Sequence, residues 1–104
     1  MVKLAKYLRD EKKKYVLSKQ VLRSGTAIGA LVREAEHAES KPDFAHKMNI
    51  ALKEANETLY WLELLYQAEY ITAHSYESIR TVSEELVKLL VSIVKTTKAS
   101  IRAQ

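Results

Sequence analysis

The stretch SKPDFAHKMNIALKEANETLYWLELLY, Ser40 to Tyr66, decides the fold. It opens with a helix-start signal: Ser40 can accept from the free N–H groups of a first turn, Pro42 sits where a missing N–H costs nothing, and Asp43 favours the positive dipole end. Asp43 stands three residues after Ser40, as in a capping box with Asp in place of the usual Glu. From there Phe44, Met48, Leu52, Ala55, Leu59, Leu62 and Tyr66 recur at three- and four-residue steps, which makes one apolar face of a helix. The pattern predicts about 28 helical residues, roughly 42 Å at the standard rise.

Upstream, Leu17, Val21, Gly25, Ile28, Val32 and Ala35 form a second seam within a helix expected over residues 15–38. Gly25 and Gly29 lie one turn apart in it, and each costs up to about 1 kcal/mol of helix propensity, which implies close approach by a neighbour. Leu4, Tyr7 and Leu8 mark a short first helix over residues 2–12. Downstream the chain breaks near Ile71, Thr72 is the next cap, and Ile79, Val82, Leu86, Leu89, Ile93 and Thr97 carry a last seam toward Gln104. Short connections between long helices make neighbours antiparallel, so the expected fold is all-α: an antiparallel up-and-down four-helix bundle with a short first helix.

The 104 residues have room for one core, and residues 1–104 are read as a single domain. Two glycines, one proline and no cysteine favour long helices and exclude disulfides, thiolate metal sites and cysteine nucleophiles. Lys3 and Lys6 interrupt the N-terminal apolar residues, so no signal peptide is expected, and no apolar run approaches the roughly 20 residues of a membrane span. These features predict a cytoplasmic protein without a membrane partner.

Apolar residues off the seams exceed the needs of one bundle. Ile50, Trp61 and Leu64 form a second stripe on helix three, and Val87, Val91 and Val94 another on helix four. A helix apolar on more than one face is deeply buried or paired, and in so small a chain the expectation is a homo-oligomer with Ile50, Trp61, Leu64, Val87 and Val91 at its interface. Charge is uneven as well. Residues 1–23 hold eight bases against Asp10 and Glu11, a net +6, within an overall +4. Lys12, Lys13, Lys14, Lys19 and Arg23, with Tyr7 and Tyr15 interleaved, are candidates for RNA or DNA binding, since phosphates need only basic side chains and aromatic rings stack on single-stranded bases. The same run also suits an ordinary solvated helix face.

Glu34 with His37 and Asp43 with His46 have the carboxylate-x-x-histidine spacing of metal-binding bundles. Both pairs flank one loop, and Asp43 already caps a helix, so no metal, cofactor or small-molecule substrate is assigned. Glu54, Glu57 and Glu63 come with no nucleophile or phosphate loop, and ion pairs to Arg23, Arg33 or Lys47 explain them better than catalysis. The residues predict no enzyme.

Several groups of residues carry a resemblance: Arg23-Ser24-Gly25-Thr26 with Ile28-Gly29, Glu34-Ala35, Ser40 with Asp43-Phe44, Ile50-Ala51-Leu52-Lys53-Glu54, and Glu57 with Tyr60-Trp61-Leu62. Together they resemble the four-helix-bundle protein family encoded in 23S rRNA intervening sequences. The resemblance implies an antiparallel bundle and a ring of subunits, a pentamer by analogy with relatives. The accessory proteins of diversity-generating retroelements are more distant relatives that bind nucleic acid. Family members usually carry a further helical stretch before the point matching Val2, so Met1 falls in mid-helix. A short first helix should leave an open apolar groove beside Leu31, Val32 and Ala35, facing Met48, Ile93, Thr97 and Ile101.

Overall fold

The computed structural model describes residues 1–103, with Gln104 outside the described residues. Four helices follow one another: α1 (Val2–Asp10), α2 (Tyr15–Ala35), α3 (Lys41–Gln67) and α4 (Ala73–Arg102). They form an antiparallel up-and-down four-helix bundle with a short first helix, 52 × 21 × 15 Å in extent.

The caps act where the sequence places them. Ser40 Oγ accepts from the Asp43 N–H at 3.1 Å, and the Asp43 carboxylate reaches back to the Glu39 N–H at 3.2 Å, one residue earlier than in a standard capping box. Thr72 Oγ1 accepts from the Ser75 N–H at 3.1 Å to start α4. α1 and α2 end sooner than their apolar patterns predict, at Asp10 and Ala35. Lys13 and Glu69 turn the chain after α1 and α3 in the left-handed conformation, with φ of 56° and 63°. After α3 the Tyr70 N–H reaches the Leu65 carbonyl at 2.9 Å and the Glu69 N–H reaches that of Tyr66 at 3.0 Å, a Schellman closure with glutamate where glycine is usual.

α3 is the central strut. α2 and α4 both pack on it, while α1 packs on α2. Its buried face is rich in small side chains, Ala45, Ala51, Ala55 and Thr58, set among Met48, Leu62 and Leu65. The core falls into two lobes. One gathers Leu4 and Leu8 of α1 with Val21, Leu62, Leu65 and Ile71, and the other gathers Ile28, Ala35, Met48, Ala51, Ala55, Leu90 and Val94. Buried hydroxyls are satisfied locally or across helices, and Ser18 Oγ donates to the Ala5 carbonyl at 2.7 Å.

Two seam assignments change. On α4 the buried residues are Leu90 and Val94, with Leu86, Val87 and Ile93 beside them, whereas Val82 and Leu89 are 65% and 57% exposed. α4 carries two apolar stripes, and packing against α3 alone selects one; the stripe through Val82 and Leu89 has no helix over it. On α3, Leu65 is fully buried while Tyr66 turns out to stack on Tyr76, with ring centroids 4.3 Å apart.

Leu90→Ala should therefore cost about 2–5 kcal/mol of unfolding free energy by cavity formation. Leu89→Ala should cost no more than about 0.5 kcal/mol in dilute solution. Urea denaturation of the two variants measures both.

Candidate interaction surfaces

The basic residues gather at the elbow between α1 and α2. The left-handed turn at Lys13 carries Lys12 and Lys13 into solvent, and Lys19 is exposed on the first turns of α2. Lys14 is half-buried, its ammonium 4.7 Å from the centre of the Tyr70 ring, and Lys12 stands 5.9 Å from that of Tyr7. Beside them Tyr15 and Val16 are 57% and 74% exposed. Tyr70 arrives from the α3–α4 loop, at the same end of the bundle, and sequence spacing gives no hint of it.

Arg23 stands apart from this group. Its guanidinium spans α2 and α3, with Nη1 3.2 Å from both oxygens of Glu54 and Nη2 2.6 Å from Glu57 Oε1. Trp61 Nε1 donates to the same Glu57 oxygen at 3.2 Å. The arginine, first of all, and then the indole hold the Glu57 carboxyl below its ordinary pKa, and Glu57 ahead of Glu54 raises that of Arg23. Of the cross-helix ion pairs expected from the sequence, this one forms. Lys47 instead pairs with Asp43 on its own helix at 2.9 Å, which lowers the Asp43 pKa. Arg33 makes no ion pair among the described residues.

The five expected interface residues, Ile50, Trp61, Leu64, Val87 and Val91, are all half-buried. Trp61 packs against the α1 lobe of the core and Val87 against the other. Tyr60 extends the α3 stripe, 58% exposed and edge-on to Trp61 at 5.1 Å between centroids. Asp43 is occupied by Lys47 and Glu39, and His37 lies past the end of α2. No group of three or more His, Asp or Glu able to hold a metal occurs among the described residues.

The open groove exists but lies nearer α1 than the sequence implies. A cleft of about 580 Å³ runs between α2 and α4, lined by Gly25, Ile28, Gly29 and Val32 on one side and Ile79, Val82 and Leu86 on the other. Ala35 and Met48, expected at its edge, are buried. Met1 plugs one end: its Cγ and Cβ lie 2.7 and 2.8 Å from where a Cβ on Gly25 would stand. A Cβ on Gly29 would meet nothing within 4 Å.

The family model described as 23S rRNA-intervening sequence protein matches residues 1–92. The chain belongs to the 23S rRNA intervening-sequence protein family. A solved crystal structure from Bacteroides thetaiotaomicron, of a protein with unknown function from the S23 ribosomal protein family, is similar at 63% identity. The match covers 90% of this chain and 87% of that one, with a TM-score of 0.89. No curated protein matches. Arg23, Glu54, Glu57 and Trp61, which carried the family resemblance in sequence, are the residues that meet across α2 and α3. No helix among the described residues is long and apolar enough to cross a membrane.

The clamp has a pH signature. Because the folded state lowers the Glu57 pKa, its contribution is present above the unfolded-state value and lost as pH falls through the folded-state value. Arg23→Gln should lower the melting temperature at neutral pH, and the gap to the parent should close in acid. Thermal melts across that range check it.

Proposed function

We propose that this protein works by association and not by catalysis, as a self-assembling scaffold or binding module in the cytoplasm whose copies close into a ring. The observation that carries this reading is the pair of half-exposed apolar stripes, Ile50, Trp61 and Leu64 on α3 with Tyr60 beside them, and Val87 and Val91 on α4. Two different stripes meeting between copies make a head-to-tail contact, and such contacts close into rings when the rotation allows. The family likeness favours five copies. Light scattering should give a mass several times the 11.9 kDa of one chain, and Trp61→Glu with Val87→Glu should break the ring. A parent that stays a monomer at high concentration overturns it.

A second reading is supported by the elbow: RNA or DNA bound through Lys12, Lys13, Lys14 and Lys19, with Tyr7 and Tyr15 available for stacking. Repetition around a ring would strengthen a weak patch by avidity, and the distant likeness to retroelement accessory proteins points the same way. Arg23 contributes least, since two carboxylates already hold it. Binding should weaken steeply with salt. Changing Lys12, Lys13 and Lys14 together to Glu should abolish it with helicity intact; undiminished affinity in a filter-binding assay excludes the patch.

A further inference from the structure

Building on the nucleic-acid reading of the elbow, we propose that this site takes single-stranded nucleic acid in preference to duplex, with one unpaired base stacked on Tyr15 and the phosphates on either side of it held by the surrounding lysines. Three tyrosines stand at this end of the bundle, and two of them are engaged within the chain. Lys12 lies 5.9 Å from the centre of the Tyr7 ring, and Lys14 lies 4.7 Å from that of Tyr70. Tyr15 is 57% exposed, and among the described residues neither an aromatic ring nor a cation lies on its face. It borders a hollow of about 250 Å³ lined also by Lys13, Lys14, Val16 and Leu17. A flat base laid against the ring there has apolar side chains beside it and ammonium groups at its edge.

The charges stand where a strand carries its phosphates. Lys12 and Lys13 are exposed in the turn before Tyr15, and exposed Lys19 follows one helical turn later on the same face of α2. No acid on this part of α2 neutralises them, since the first carboxylate of that helix is Glu34. Of the acids at this end, Asp10 is paired with Arg9 at 2.8 Å, while Glu11 and Glu69 are exposed in the elbow and the α3–α4 loop. Lysines contact the phosphates of duplex and single strand alike and do not choose between them. A free tyrosine face does choose. The faces of paired bases are covered by their neighbours in the stack, whereas an unpaired base can turn onto the ring. Lysines alone would serve any polyanion; Tyr15 set between Lys13 and Lys19 serves a base between two phosphates.

Fluorescence anisotropy of labelled oligonucleotides at low salt tests this on the full chain, with a single-stranded RNA, a single-stranded DNA and an RNA duplex of the same length. The tighter of the two single strands names the sugar, and it should bind on the order of tenfold more tightly than the duplex. Tyr15→Ala should weaken single-strand binding about tenfold and leave duplex binding within about twofold, and Tyr15→Trp should retain the parent affinity. Circular dichroism should be unchanged in both variants, because the ring is exposed. Tyr15→Ala removes no charge, so its binding should keep the parent's salt dependence, whereas Lys13→Ala should flatten it. Equal affinity of the parent for single strand and duplex, or full single-strand affinity in Tyr15→Ala, overturns the proposal; the basic elbow then still stands if changing Lys12, Lys13 and Lys14 to Glu abolishes binding. If the parent binds neither form at low salt, the nucleic-acid reading falls and this proposal with it.

Discussion

The structure depends on how closely two helices can lie against α3. α2 and α4 both pack on it, and neither has another long neighbour. Along the shared face Ala45, Ala51, Ala55 and Thr58 keep the strut thin, so Ile28 on α2 and Leu90 and Val94 on α4 reach the same lobe of core. A larger side chain at Ala51 or Ala55, both essentially without exposure, would separate the two outer helices at once. The Arg23 contact to Glu54 and Glu57 sits beside this seam and fixes the register of α2 on α3. Fork-shaped arginine pairing adds geometric definition that apolar packing lacks.

The fold was legible because its signals are local and agree with one another. Ser40, Pro42 and Asp43 start a helix by hydrogen-bond chemistry alone, and Thr72 does the same for α4. The face of α4 was not legible. Ile79, Val82, Leu86, Leu89 and Ile93 have the spacing of a seam, and so do Leu86, Leu90 and Val94; periodicity detects a stripe without saying which neighbour covers it. Packing against α3 makes the choice. Likewise Tyr70 beneath Lys14 and Met1 over Gly25 join positions distant in sequence, and only the folded chain brings them together.

The candidate surfaces divide along the same line. The lysines of the elbow follow from composition, whereas the removal of Arg23 from that group follows from a partner 31 residues away. Arg23, Glu54, Glu57 and Trp61, which are among the residues of the sequence resemblance, form the polar bridge between α2 and α3. Their chemistry is architectural. The surfaces open to partners, at Lys12 to Lys14, along Tyr60 and Leu64, and in the α2–α4 cleft, lie to either side of it.

The two-lobed core also has a consequence for how the molecule breathes. α1 is tied down by Leu4, Ala5 and Leu8 and by the Ser18 hydroxyl on the Ala5 carbonyl, and it touches only one lobe. The lobe around Ala51, Ala55 and Leu90 owes it nothing. Opening of α1 is thus a partial unfolding event, cheaper than loss of the three-helix remainder, in the way that cooperative units within one domain open at different free energies. Amide hydrogens of α1 would exchange first, and each such opening would uncover Val21 and Leu62 while the far lobe stays intact. The bundle is in this sense a three-helix body with a detachable fourth piece.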